Sequence, residues 1–306
     1  MSSSGSTRAI VAALFANGGI AVAKFIGFLI TASSSMLAEA VHSVADTSNQ
    51  ALLLFGQRRA RKDANSLHQF GYGRSRYFYS FVVALVLFTL GAAFALYEGY
   101  HKITHPTPIT SPMIAVAILV VAIGLESYSF RTAVVESRPL KGSGSWWQFI
   151  RHSRNPELPV VLLEDTGALL GLLFALTGVG LTVLTGNPIW DGISTAAIGA
   201  LLAVIAVILM VEMHSLLIGE GATVEDYRAI EAALAATEGV DRVIHLRTQY
   251  LGPEEMLVGA KIALASGSDL ATVAAAIDAA EAAVRAAVPM ATVIYVEPDL
   301  DRSPSR

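Results

Sequence analysis

Six stretches of this chain share one hydropathy pattern: a run of about 20 apolar residues, the length a helix needs to cross hydrocarbon, followed by a polar interruption. They fall near Ala9–Thr31, Ser35–Phe55, Phe78–Tyr100, Ile109–Val135, Leu158–Leu184 and Gly192–Leu217. From about Glu220 the pattern changes. TVEDYRAIEAALAATEG has helical periodicity with acids in its first turn and Gly239 as a stop. VDRVIHLRTQYL and EMLVGAKIALA alternate as strands around the turn GPEE, DLATVAAAIDAAEAAVRAAV predicts a second helix, and ATVIYVEP a third strand. The expected architecture is a membrane all-α six-helix transmembrane domain over residues 1–218, then a small cytoplasmic α+β domain over 219–306, ferredoxin-like in its αββαβ order. A sheet with both helices on one face leaves surface free for pairing, so a homodimer is expected.

Composition agrees with a bilayer setting. Of 306 residues, 54% are hydrophobic and only 15% charged, where soluble proteins carry roughly a quarter charged residues. The chain is expected to be an integral, multi-pass membrane protein. Its net charge of −4 is small and dispersed, so nothing recommends a nucleic acid as partner. Cysteine is absent, which removes disulfides and thiolate metal sites and leaves His, Asp and Glu as ligands. Arg58, Arg59, Arg61, Lys62, Arg74 and Arg76 crowd the loop after the second span, and Arg131, Arg138, Lys141, Arg151 and Arg154 the segment between the fourth and fifth. The opposite connections, HKITHPTPITSP and TGNPIWDG, hold Lys102 alone. Positive charge collects on the cytoplasmic side, so both termini are expected there. The short MSSSGSTR segment before the first span lacks the features of a signal or transit peptide, which favours a bacterial plasma membrane.

The second span carries the chemistry. Glu39, His42, Asp46 and Asn49 are spaced by 3, 4 and 3 and form one stripe on a helix. Such a stripe is too costly to face lipid and must face other helices or water. His42 and Asp46 at i, i+4 can offer an imidazole nitrogen and a carboxylate oxygen to one divalent cation. Asn49 is either a weak oxygen ligand or a partner that orients Asp46.

A second pair of acids, Glu164 and Asp165, lies in the fifth span. Sequence neighbours point about 100° apart on a helix, so one is expected to bind metal and the other to sit beside it, with Asp165 the stronger candidate. Asp46 and Asp165 lie at compatible depths, and the Gly167/Gly171 pair would let the two spans approach closely.

SSSMLAEAVHSVADTSNQ, the basic loop with LHQFGYGRSRYF, six spans and an αββαβ tail together resemble the cation diffusion facilitator family of divalent-metal transporters, over essentially the whole chain. In that family, the resemblance implies, turn-spaced ligand pairs come from the second and fifth spans. This chain supplies His42 and Asp46, but Val161 stands four before Asp165 and Val160 four before Glu164. The adjacent Glu-Asp resembles the mitochondrial-type zinc transporter branch. A loop metal site used by many members would fall on Asp63 and His68, with Tyr72 where a second His often lies; in the tail, His245 beside Asp241 is a surface residue by default. The resemblance also implies export from the cytoplasm.

Other isolated polar groups have plainer readings. Lys24 can snorkel and Asn17 can bond a neighbouring helix. Glu126 is either a cation or proton relay or an interhelical hydrogen bond. His214 is interfacial, and Trp146 and Trp147 mark an amphipathic segment lying on the membrane.

The expected function is secondary active transport of a divalent metal, Zn²⁺ first, in exchange for protons, by rocking around a mid-membrane site. No resident cofactor is expected. Mixed nitrogen and oxygen donors suit Zn²⁺ better than Mg²⁺ or Ca²⁺ and leave Mn²⁺, Fe²⁺ and Co²⁺ open. Two other classes remain: an intramembrane aspartyl hydrolase pairing Asp46 with Asp165, and a metal sensor that binds without turnover.

Overall fold

The computed structural model describes residues 3–265 and 267–299, so Met1, Ser2 and the expected end of the tail domain at 300–306 lie outside the described residues. Two compact units result: the chain up to Arg59 with Arg76–His214, and Ala60–Ser75 with the chain from Ser215 onward.

Helices α1 (Ser3–Thr31), α2 (Ser34–Ala60), α5 (Pro112–Lys141), α7 (Glu157–Thr185) and α8 (Ile189–Ile218) are single long segments. A further long helix joins α3 (Ser75–Val86), a π-helical turn (Leu87–Ala93) and α4 (Phe94–Thr104). Ser75–Thr104, α5, α7 and α8 are long and apolar enough to cross a membrane, and α1 is apolar over Asn17–Thr31. The exception, α2, has 27 residues and so spans about 40 Å, but its stripe of ionisable groups lowers its hydropathy.

Several boundaries run about a turn beyond the apolar runs, because helix continues into the interfacial polar residues. The fourth span is the exception at its N-terminal end. It starts at Pro112 rather than Ile109, since Ser111 is left-handed at φ 52° and Pro112 occupies the first helical turn. Helix α7 stops at Gly186, φ 68°, a position that glycine takes without strain. Helices α4 and α8 touch backbone to backbone: a Cβ on Gly99 would lie 2.5 Å from the Ala196 amide nitrogen.

Two buried ion networks brace this unit. Arg76, expected among the loop cations, lies instead in α3, is 8% exposed and forks onto both oxygens of Glu157 at 2.5 and 2.8 Å. Asp191 accepts hydrogen bonds from Ser33 Oγ at 3.0 Å, the Ser34 amide at 3.0 Å, the Ser35 amide at 3.3 Å and Ser35 Oγ at 2.5 Å. It therefore caps the N-terminus of α2 from another helix, with Lys102 3.8 Å away. Short helix α6 (Trp146–His152) opens with a Ser145/Gln148 capping box, buries Phe149 and Ile150, and leaves Trp146 and Trp147 exposed. That is the expected amphipathic segment, further held by Lys141 lying 5.3 Å over the Trp146 ring.

The second unit has the expected αββαβ order: α9 (Val224–Ala235), β1 (Val240–Gly252), β2 (Glu255–Leu264), α10 (Leu270–Ala287) and β3 (Ala291–Asp299). The sheet order is β1-β2-β3, with β1/β2 an antiparallel hairpin and β3 returning parallel to β2 after α10. Alternate β2 residues Met256, Val258, Ala260 and Ile262 share a core with Ile230 and Leu234 of α9 and Ala280 and Val284 of α10. The basic loop belongs to this unit. A Cβ on Gly73 would lie 2.8 Å from the Leu251 carbonyl oxygen, so the loop lies directly on the hairpin end.

Candidate metal site

The α2 stripe is buried throughout: Glu39, His42, Asp46 and Asn49 are each at most 3% exposed. His42 Nε2 stands 3.5 Å from Asp46 Oδ2, too far for a good hydrogen bond. Both ring nitrogens of His42, Asp46 Oδ1 and Asn49 Oδ1 have no hydrogen-bond partner. Buried polar atoms are almost always satisfied, so four unpartnered atoms on one helix face stand out as free metal-ligating donors.

Helix α7 answers from the opposite side. Glu164 Oε1 accepts from Asn49 Nδ2 at 2.7 Å, and its Oε2 accepts from Gln50 Nε2 at 3.4 Å. Asp165 turns to α5 instead, where Oδ2 accepts from Ser129 Oγ at 3.0 Å. The angular separation of neighbouring helix residues thus sends Glu164 to the histidine-bearing helix and Asp165 to α5. The stronger sequence candidate, Asp165, is hydrogen-bonded to α5 rather than to α2. The Asn49 amide nitrogen goes to Glu164, so of the two roles read for Asn49, orienting Asp46 is replaced by holding Glu164. Asp46 remains within electrostatic reach of Glu164, Glu126 and Asp165.

The glycine pair also divides. A Cβ on Gly171 would sit 2.6 Å from Glu39 Oε1 of α2, whereas one on Gly167 would meet Ile205 of α8 at 2.8 Å. Only Gly171 serves the α2 contact. Lys24 does not snorkel. It is fully buried, with Nζ donating to Glu39 Oε2 at 2.9 Å and Ser43 Oγ at 2.8 Å. Glu126 is buried with Oε1 unpartnered, as is the Asn17 side-chain carbonyl.

Sequence reading missed the π-helical turn beside the site. Gly91, within it, lies against His42: a Cβ there would be 3.9 Å from Nδ1. Such turns concentrate at functional sites, but only their geometry reveals them. In the basic loop, Asn65 Oδ1 accepts from the Leu67 and His68 amides and Asn65 Nδ2 donates to the Tyr72 hydroxyl. Asp63, His68 and the tail residue His245 are exposed. Among the described residues no three His, Asp or Glu side chains already converge as a finished cage, in the loop, the tail or the membrane unit.

Comparison with known proteins places this geometry. The cation efflux transmembrane domain matches residues 10–218, and the cytoplasmic domain of cation efflux proteins matches residues 222–299. The human mitochondrial proton-coupled zinc antiporter SLC30A9 is 33% identical over 250 residues, covering 81% of this chain and 44% of that protein. Metal tolerance protein C4 of Arabidopsis thaliana is 29% identical over 261 residues, 84% of this chain and 57% of that protein. Zinc transporter ZitB of Pectobacterium atrosepticum is 34% identical over 116 residues, 38% of this chain and 36% of that protein. The chain spans less than half the length of the SLC30A9 relative that it matches. With both family domains matched in order along one chain, this protein belongs to the cation efflux family, the cation diffusion facilitators whose pattern its second span carries.

Proposed function

We propose that the protein exports a divalent metal, Zn²⁺ foremost, from the cytoplasm in exchange for protons, working as a homodimer. The observation that carries this reading is the set of orphaned donors on His42, Asp46 and Asn49, facing a Glu164 carboxylate, inside a membrane helix. One imidazole nitrogen, two carboxylates and an amide oxygen make a four-donor set suited to Zn²⁺. The site is poised rather than closed. An arriving ion needs only to draw Glu164 off its Asn49 and Gln50 hydrogen bonds and rotate the Asn49 oxygen inward.

Proton exchange follows from charge. Two carboxylates and a neutral imidazole balance a divalent ion, and once the ion leaves, protons are the small cations that can restore neutrality in hydrocarbon. A site that is neutral both loaded with metal and loaded with protons can pass through a change of access; an anionic empty one resists it. Coupling is thereby built into the ligand set. Rocking of helices about this fixed site would expose it to alternate sides. Asp165 is hydrogen-bonded to Ser129, and the family is one of transporters rather than hydrolases.

Proteoliposomes with a lumenal pH dye, challenged with Zn²⁺, Mn²⁺, Fe²⁺ and Co²⁺, test this. Zn²⁺-driven proton movement in the wild type, lost in His42→Ala and Asp46→Ala, is expected. Unchanged flux in both variants would reject the site, and saturable metal binding without any proton movement would favour a sensor.

A further inference from the structure

The buried cation on α1 has no part in the mechanism above, and its surroundings differ from those of a structural ion pair. Lys24 is fully buried and held by Glu39 Oε2 and Ser43 Oγ on α2. Glu39 is not satisfied in return: Oε1 is buried without a partner, next to Gly171. Where this unit uses charge for support, both carboxylate oxygens are occupied, as in Glu157 under Arg76.

Position sharpens the contrast. Glu39 lies one turn before His42 on the same stripe, and Ser43 adjoins His42 in sequence. The Lys24 charge acts electrostatically on His42, Asp46 and Glu126. Resting on the proposed transport site, we propose that Lys24 is a tethered cation that occupies the Glu39 end of the stripe, confines the divalent ion to the Asp46/Glu164 end, and sets how loosely it is held. It is thus an affinity-determining residue that never touches the metal.

The reasoning is electrostatic. Inside a low-dielectric unit, a fixed positive charge repels a divalent ion with twice the energy it exerts on a monovalent one. A transporter must release what it binds, and this repulsion keeps an otherwise strong donor set from becoming a trap. The ammonium also fills Glu39, which would otherwise be a second anionic stop for the ion. Glu39 has the opposite effect: it neutralises Lys24, and its removal leaves the ammonium charge fully expressed at the site.

The two partners therefore make opposite predictions, although each substitution breaks the same bridge. Zn²⁺ affinity of the purified full-length protein, read by competition with a chromophoric chelator, should tighten about tenfold or more in Lys24→Gln, with slower release in stopped-flow, and weaken by a similar factor in Glu39→Gln. Lys24→Gln retains hydrogen-bonding capacity toward Glu39 and Ser43; Lys24→Met serves if it does not fold. Lys24→Arg, which keeps the charge, should return affinity toward the wild type. Shifts of the same sign in the Lys24 and Glu39 variants, or no shift in Lys24→Gln, would overturn the proposal and leave a helix-bracing bridge. A wild type that binds no Zn²⁺ would instead refute the transport reading itself. A wild type whose binding is lost in Asp46→Ala would keep that reading whatever the Lys24 variants do.

Discussion

Two buried carboxylates bear on α2, Asp191 of α8 at its N-terminus and its own Asp46 at its middle, and they are treated in opposite ways. Asp191, at the N-terminus of α2, accepts four hydrogen bonds and has Lys102 nearby. Asp46, three turns along, keeps Oδ1 unpartnered beside a histidine whose two nitrogens are also unpartnered. Burial is equal, so burial does not separate structure from function here. Satisfaction does: a filled hydrogen-bond shell marks a group that holds the fold, and a deliberately unfilled one marks a group waiting for a ligand.

The largest effect should come from the unfilled end. Asp46→Ala or His42→Ala should weaken Zn²⁺ binding by more than about a hundredfold, since even residues behind a ligand shell are worth about 10–100-fold. Thermal stability should change little, because both His42 nitrogens and Asp46 Oδ1 take part in no hydrogen bond that the substitution would break. At the filled end the pattern reverses. Asp191→Ala strips the α2 cap and leaves Lys102 buried beside it, which should cost about 3 kcal/mol of stability, read from the thermal midpoint in detergent, with Zn²⁺ affinity of the folded fraction retained. Equal loss of affinity and stability in both variants would erase the distinction.

Asn49 lies between the two cases, with its amide nitrogen committed to Glu164 and its oxygen free. Asn49→Ala should reduce affinity about tenfold, and Asn49→Asp should recover it, if the oxygen ligates. The smallest effect lies outside the membrane. Asp269 caps α10 by accepting from the Thr272 amide at 2.8 Å, and hydrogen bonds from the Thr272 side chain and backbone hold its carboxyl below the ordinary value of 3.8. A depressed carboxyl stabilises above that ordinary value and stops doing so as pH falls through the folded-state value. Asp269→Ala should therefore speed hydrogen exchange in the first turn of α10 at neutral pH, with the difference closing as pH falls below about 4.

Much of this was legible in the residues. The 3, 4, 3 spacing of Glu39, His42, Asp46 and Asn49 defines one helix face under any packing, and the alternation of Met256, Val258, Ala260 and Ile262 defines one face of a strand. These are local periodicities, and they survive tertiary context. What could not be read were choices made between helices. Nothing in the sequence around Lys24 distinguishes a snorkelling lysine from one bonded to Glu39, since that depends on how α1 rotates against α2. Asp191 falls in the connection TGNPIWDG by sequence but in the buried first turn of α8 in the structure, and its role as the α2 cap requires two segments distant in sequence to meet. The Glu164/Asp165 choice is of the same kind. Helical geometry separates the two acids, but only the placement of α2 and α5 around α7 says which acid faces which.

Which of the two acids binds the metal is open to direct test. Zn²⁺ binding to Glu164→Gln and Asp165→Asn, titrated side by side in the purified full-length protein, tests it directly. Glu164→Gln is expected to lose binding by more than about tenfold while Asp165→Asn, whose carboxylate accepts from Ser129, stays near the wild type. Loss of binding in Asp165→Asn with Glu164→Gln unaffected would contradict it.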